Sequence, residues 1–367
     1  MHSYRKFSNL KTKVALVGCG EIADAHLKEL KKMASIELVA VCDLFEYLLC
    51  ETAQRFAIPK YYLDYTEMLV SSQPDVVHIC TPPRTHFELA KTALDHGSHV
   101  YVEKPVTLTL AETDVLLEMA DKMGLAVCAG HNRIFDTTYL RAKKLIDDGT
   151  IGELVHMETH YGYSLNTPIG QQIKSNPEHW ITQLPGQLFQ NNISHSLSMI
   201  GQFIGSAPEV HALATDLRNN GAIKDELRVS ILGERCTAQL VFTSNATPMM
   251  HIIRFYGTQK YLEYDMLQKT LIVKAPQGLP GVFGNLKSTF NSARQYIAHG
   301  FRNFGRFAVG REQFFTGMQI LFDSFYTALR KGEPLPVSHD DLRLVSYMME
   351  EINQQVYPEA IAKEVSI

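Results

Sequence analysis

The chain has 367 residues, 45% hydrophobic and 20% charged, with a formal net charge of −4 at pH 7. That is long for a single core, so two globular domains are expected, and the charge argues against nucleic acid as a partner. Six scattered cysteines form no Cys-x-x-Cys pair, and there is no long apolar segment, so a disulfide frame, a metal site and a membrane span are not expected and a cytoplasmic protein is.

The first element is the run Lys13-Val14-Ala15-Leu16-Val17-Gly18-Cys19-Gly20-Glu21-Ile22-Ala23. An apolar strand ends in Gly-x-Gly-x-x-Ala, and a helical pattern of Ala25, Leu27, Leu30 and Met33 follows at once. Gly18 allows a tight turn. Gly20 lets a pyrophosphate approach the backbone, Ala23 lets the helix pack close to the sheet, and the helix N-terminus attracts the anion. A second strand, 36–42, ends in Asp43, 25 positions after Gly18, near where an acid binds ribose hydroxyls.

Strands are predicted at 13–18, 37–42, 75–80, 98–102 and 125–129, with helices at 22–33, 46–56, 64–71, 85–96 and 110–123. This alternation gives a doubly wound parallel sheet with right-handed crossovers, an α/β Rossmann domain. From about residue 150 the pattern changes. Strands are expected near 152–161, 208–216, 225–233, 236–244, 249–256, 260–265 and 270–274, with an apolar helix at 188–204. Short turns between them point to an open antiparallel sheet in a C-terminal α+β domain. Helical patterns at 312–331 and 339–355 close the chain. The division is residues 1–130 for an NAD-binding Rossmann domain and 131–367 for a substrate and oligomerisation domain, its last helices being candidates to pack back on the first.

Three further motifs end the later strands of the first domain. They are Cys80-Thr81-Pro82-Pro83-Arg84-Thr85-His86, Val102-Glu103-Lys104-Pro105, and Ala129-Gly130-His131-Asn132-Arg133-Ile134-Phe135-Asp136. Carboxyl ends of strands are where open α/β sheets bind ligands. With these motifs the sequence resembles the glucose–fructose oxidoreductase/inositol dehydrogenase/MocA (Gfo/Idh/MocA) family over nearly its whole length.

The resemblance implies an NAD- or NADP-dependent dehydrogenase acting on CH–OH groups, with an active site between the two domains. Sugars or cyclitols are the implied substrates, and a homodimer or homotetramer the implied assembly. Asp43 favours NAD over NADP, because a carboxylate repels a 2′-phosphate and no arginine follows it directly. The implied cofactor contacts are Gly18, Gly20, Glu21, Ile22, Ala23, Asp43, Thr81, Pro82, His86, Glu103, Lys104 and Asn132. Lys104 resembles the family's lysine, whose ammonium can stabilise a developing oxyanion; the plainer reading is a surface pair with Glu103.

The segment Pro185-Gly186-Gln187-Leu188-Phe189-Gln190-Asn191-Asn192-Ile193-Ser194-His195 looks like the family's Gly-Gly-Gly-x-Leu-x-Asp-x-Gly-x-His. His195 then matches the histidine that moves the proton, and Asn191 falls where many members carry aspartate. Asparagine orients a hydroxyl but cannot take its proton. Asn191 at this position resembles members that act on nucleotide-linked sugars, which makes a nucleotide-activated sugar in glycan biosynthesis the leading substrate class. The alternatives are a free sugar or inositol-type cyclitol, a net non-redox reaction that uses bound NAD transiently, and a non-catalytic NAD or sugar-binding regulator.

Arg133, Tyr161, Trp180 and Asn191 are candidates to touch substrate. The stretch Gly162–Gln187, with prolines at 168, 177 and 185, reads as a lid or as a loop with an aromatic anchor. Residues 266–311 hold seven Lys or Arg and no acid, and within them Leu286, Phe290, Ala293, Ile297, Phe301, Phe304 and Ala308 recur at helical spacing. The favoured reading is a solvated basic face whose apolar stripe packs on a neighbouring subunit. Phosphate binding comes next, and contact with an anionic membrane last.

Overall fold

The computed structural model describes Tyr4 and residues 11–176, 178–218, 223–276, 278, 281–309 and 316–358. Pro177, Arg311 and the first four residues of the predicted 312–331 helix lie outside the described residues. The chain divides into two compact units, Met1–Asn132 with Met318–Tyr347, and Arg133–Gly317 with Met348–Ile367.

The elements of the first unit begin with β1 (Thr12–Val17), α1 (Glu21–Lys32), β2 (Ile36–Cys42), α2 (Glu46–Phe56), β3 (Tyr61–Tyr62) and α3 (Tyr65–Ser72). They continue with β4 (Val76–Ile79), α4 (His86–Asp95), β5 (His99–Val102), α5 (Leu110–Met123) and β6 (Val127–Ala129). The second unit holds α6 (Thr137–Asp147), β7 (Leu154–Ser164), α7 (Pro168–Ser175), α8 (Gln187–Ile204), β8 (Glu209–Thr215) and β9 (Glu226–Leu232). It goes on through β10 (Thr237–Thr243), β11 (Asn245–Gly257), β12 (Tyr261–Asp265), β13 (Thr270–Lys274) and α9 (Gly281–Ala308). Most of α10 (Thr316–Lys331) and the first turns of α11 (His339–Val356) return to the first unit.

The first sheet is parallel throughout, in the order β3-β2-β1-β4-β5-β6. Its central strands are buried on both faces, which is why they read as unbroken apolar runs. Chain order reverses between β1 and β4, and such a reversal is where open α/β sheets bind ligands at the carboxyl ends of their strands. Local signals agree with the elements: α1 carries Glu21 and Asp24 in its first turn and Lys31 and Lys32 in its last, and Thr109 with Glu112 forms a capping box on α5.

The second sheet runs β13-β12-β11-β7-β10-β9-β8. It is mixed, not wholly antiparallel as the sequence suggests. β7 and β10 pair in parallel, from His156 opposite Thr237 to Gly162 opposite Thr243. The long connection through α7, α8, β8 and β9 brings the chain back in the same direction, and alternation of side chains does not record that direction. Helix α8 packs on β7 and β10, while α6 packs on β12 and β13. Two helices, α6 and α7, and the two-residue strand β3 were not predicted. The stretch read as a lid contains the end of β7, all of α7, and a turn anchored by buried Ile181 and Leu184.

Candidate active site

In the first unit the glycine turn lies at the reversal point. Gly18 has φ +90°, and a Cβ there would stand 2.8 Å from the carbonyl carbon and oxygen of Cys80 and from Thr81 Cγ2. β1 therefore runs out against the end of β4 with no room for a side chain. Gly20 caps α1 in an extended conformation, and a Cβ on it would meet no protein atom within 4 Å. One residue is glycine because the protein is close, the other although the protein leaves space. Ala23 is fully buried under the sheet, Glu21 is exposed and Ile22 half-buried.

Asp43 ends β2, and its carboxylate accepts hydrogen bonds from the backbone N–H of Cys19 at 2.6 Å and of Phe45 at 2.8 Å. The acid thus braces the glycine turn, and each oxygen keeps acceptor capacity for a further donor. Leu44 and Phe45, directly after it, are exposed apolar side chains. They were not singled out from the sequence, although two large apolar residues beyond a strand end were a readable signal of a flat ring surface.

The loops after β4 and β5 are tied together. His86 is buried, with Nδ1 2.8 Å from the Pro105 carbonyl oxygen and Nε2 2.9 Å from that of Thr81. Burial lowers its pKa against the pull of the two carbonyls. Thr81 is half-buried, Pro82 exposed, and Thr85 Oγ1 bonds Thr81 Oγ1 at 2.7 Å. Lys104 and Asn132 are half-buried at the ends of their strands.

Behind Lys104 runs a buried polar chain. Glu103 Oε2 accepts the Lys104 backbone N–H at 3.2 Å, and Oε1 accepts from His26 Nε2 at 2.9 Å. His26 Nδ1 lies 3.0 Å from His78 Nδ1, and His78 Nε2 lies 2.7 Å from the Tyr326 hydroxyl on α10. The chain thus links the Tyr326 hydroxyl through His78 and His26 to the Glu103 carboxylate. Burial alone would raise the Glu103 carboxyl, but the hydrogen bond from His26 and the charges beside it hold it below its ordinary value. A side chain at position 130 is excluded, since a Cβ on Gly130 would stand 2.7 Å from Glu103 Oε1. His78 reads from the sequence as one more residue of an apolar strand; its hydroxyl partner lies 248 positions away.

His131 has 1% exposure, and among the described residues neither ring nitrogen has a hydrogen-bond partner. Burial holds its pKa at about 4, against an ordinary 6.5. In the second unit burial brings His251 to about 3. A histidine whose folded pKa is depressed binds fewer protons than the unfolded chain, so its stability contribution is full above pH 6.5 and is lost as the pH falls. Each is expected to cost about 1.4 kcal/mol per pH unit between pH 6.5 and its folded value. The urea midpoint should fall steeply from pH 7 to pH 5, and His131→Leu should flatten the slope. A midpoint that does not move over that range would contradict the burial of these rings.

In the second unit the relevant helix is α8. Its residues from Leu188 to Ile200 are buried except Asn191 and His195, and Gln187 at its start is also only half-buried. Gln187, Asn191 and His195 thus form a single line, one turn apart, in a stretch of the helix otherwise covered up to Ile200. The helix enters tightly, since a Cβ on Gly186 would meet Asn353 Oδ1 at 2.1 Å. Asn192, beside the line, donates from Nδ2 to Tyr163 Oη at 3.0 Å, and its Oδ1 accepts from Tyr161 Oη at 3.4 Å. Tyr161 stacks on His251 with centroids 4.7 Å apart, and the charge of Arg133 acts on both rings. Two of the candidates, Arg133 and Tyr161, therefore share one neighbourhood of this unit, and Asn191 is the chain neighbour of Asn192, which bonds Tyr161. Trp180 is 40% exposed and stacks on His179. Asp136, the acid of the Asn132–Asp136 motif, caps α6 and accepts from Lys269 Nζ at 2.6 Å and Tyr264 Oη at 3.0 Å.

Residues 12–131 match a family profile described as "Oxidoreductase family, NAD-binding Rossmann fold", and residues 139–263 one described as "GFO/IDH/MocA C-terminal domain". The chain belongs to the Gfo/Idh/MocA family. The first unit is thus an NAD-binding Rossmann domain of that oxidoreductase family. A myo-inositol 2-dehydrogenase of Thermotoga maritima is 31% identical over 141 residues, which is 38% of this chain and 42% of that protein. The match spans less than half of that relative's own length. Among solved structures, the WlbA dehydrogenase of Bordetella pertussis, in complex with NADH and UDP-GlcNAcA, has a TM-score of 0.74 at 16% identity, over 95% of this chain and 97% of that one. The UDP-N-acetylglucosamine 3-dehydrogenase GnnA of Acidithiobacillus ferrooxidans has a TM-score of 0.74 at 17% identity, over 96% of this chain and 100% of that one. At these identities the likeness shows the fold of this Gfo/Idh/MocA protein and nothing finer.

Proposed function

We propose that this Gfo/Idh/MocA protein is an NAD-dependent dehydrogenase of a carbohydrate ring hydroxyl, with a nucleotide-activated sugar as its substrate class. The observation that carries the reading is the line Gln187, Asn191 and His195 on a helix otherwise buried from Leu188 to Ile200. Half-buried polar groups at one-turn spacing fit recognition of a hydroxylated ring.

The residues of the first unit fit the cofactor. Gly18 and Gly20 bring the pyrophosphate to the N-terminus of α1, where Glu21, Ile22 and Ala23 begin the helix. Asp43 would take the ribose hydroxyls, and the loops at Thr81, Pro82, Glu103 and Asn132, with His86 lying between two of them, would line the rest. When bound, NAD supplies the hydride acceptor. Lys104 donates a hydrogen bond to the reacting oxygen and stabilises the charge that grows on it. His195 accepts the hydroxyl proton. Asn191 orients the ring, because its amide offers donor and acceptor but no base. Arg133, Tyr161 and Trp180 hold the remainder of the substrate.

Asp43→Ala tests the ribose contact. A charge-assisted hydrogen bond is worth about 2 kcal/mol, so NAD affinity should fall by about thirtyfold, while NADP, freed from the repulsion, should bind no worse than before. An unchanged NAD-to-NADP preference in equilibrium titrations would remove Asp43 from the site.

The function itself is tested by nicotinamide absorbance of the NAD-loaded protein against a panel of nucleotide sugars, free sugars and inositols. Reduction by a nucleotide sugar, and not by the same sugar free, is the expected result. Reduction by an inositol would favour the second reading, a cyclitol dehydrogenase, which the similarity to a myo-inositol 2-dehydrogenase supports. Silence across the panel with NAD demonstrably bound would overturn both.

A further inference from the structure

Helix α9 is built the wrong way round for a helix that packs on its own protein. The residues turned to the neighbouring strand are small or polar. Gly284 and His299 are buried, and Ser288, Ser292, Gln295 and Asn303 are half-buried on the same row. Gln295 Nε2 donates to the Val273 carbonyl at 3.0 Å while its Oε1 accepts the Val273 N–H at 2.9 Å. His299 Nε2 lies 2.9 Å from the Leu271 carbonyl oxygen, and Asn303 Nδ2 donates to that of Gln268 at 2.9 Å. The helix is thus held on β13 and the turn before it by hydrogen bonds.

Its apolar residues point away. Phe283, Phe290, Ile297, Phe301, Phe304 and Phe307 are each between 62% and 76% exposed. At about 100° of rotation per residue, this row is centred roughly 170° from the buried one, and it runs for about 36 Å. A contiguous apolar face of that length is rare on the surface of a soluble monomer and marks a docking site. Lys287 and Arg294 border it, and no Asp or Glu occurs anywhere from 266 to 311, although the whole chain has a net charge of −4.

We propose that α9 docks this protein on an anionic lipid surface. The helix lies in the plane of the interface, with the phenylalanine row among the upper acyl chains and the bordering cations at the headgroups. Charge decides for lipid over a second copy. The only charged residues of α9 are Lys287, Arg294, Arg302 and Arg306, so anionic headgroups offer the acids that an identical helix in a second copy lacks. No helix among the described residues is long and apolar enough to cross a membrane, so the contact is with one face of the bilayer. The sequence alone favours a stripe packed on a neighbouring subunit; the outward apolar face edged by Lys287 and Arg294, on a helix with no acid, favours lipid. The proposal is independent of the substrate reading above.

The test is flotation of the full-length protein with phosphatidylcholine vesicles, with and without about one-third phosphatidylglycerol. Binding to the anionic vesicles only, falling as salt rises, is expected. Phe290→Ser with Phe301→Ser should lower it at least tenfold, roughly, without shifting the melting temperature, since both side chains are already in solvent. Lys287→Gln with Arg294→Gln should lower it about twenty-five-fold, at about fivefold per charge. Absence of binding to the anionic vesicles, or binding that both double variants leave unchanged, would overturn the proposal. A dimer in sedimentation that the phenylalanine variant splits, with no vesicle binding, would replace the lipid by a second copy.

Discussion

Lys104→Ala is expected to lower kcat about a thousandfold while the affinity for NAD stays within about threefold. On the proposed mechanism the substitution removes the donor to the developing oxyanion and leaves the backbone in place. That backbone is secured on both sides: Glu103 Oε2 holds the Lys104 N–H, and His86 holds the Pro105 carbonyl. The Lys104 side chain is only half-buried, so its loss opens no core cavity. The measurement is a steady-state rate on whichever sugar reduces the cofactor, beside a fluorescence titration of NADH. Full activity in this variant would remove Lys104 from the chemistry. A parallel loss of NADH affinity would show that the change had disturbed the loops and not the reacting group.

Gly18→Ala should be the most damaging single-atom addition in the first unit, and Gly20→Ala its control. At Gly18 an alanine must adopt φ +90° and place its Cβ 2.8 Å from the Cys80 backbone, which cannot yield as a flexible side chain would. Strain of this type, with the displaced strand end, is expected to cost about 3 kcal/mol of stability. The turn also carries Cys19, whose N–H is held by Asp43, so NAD affinity should fall by about a hundredfold with it. At Gly20 the backbone is extended at φ −73° and a Cβ meets no protein atom within 4 Å. Gly20→Ala should therefore leave the denaturant midpoint within about 0.5 kcal/mol of the parent and still weaken NAD binding. Equal stability losses in the two variants would contradict the geometry of the turn.

Much of the first unit was legible because its signals are local. Strands buried on both faces read as apolar runs, and the turn chemistry at Gly18, Gly20 and Asp43 is compressed into 26 residues. The line of Asn191 and His195 was legible for the same reason, one helical turn being four positions. The two-residue strand β3 was not, because two tyrosines carry no period. Nor was the partner of His78, since a histidine among valines gives no sign that Tyr326 will reach it from α10.

The sequence by itself determined the α/β alternation, the glycine turn, the three strand-end motifs and the amphipathic character of α9, because each is a property of neighbouring residues. Only the tertiary structure decided that β7 lies parallel to β10, that Glu103 is backed by His26, His78 and Tyr326, and that α9 turns its polar row inward. Side-chain period is the same in either strand direction, and an amphipathic period is the same whichever face is covered. Those choices are made by hydrogen bonds between residues far apart in the chain, such as Gln295 with Val273, which no local pattern records.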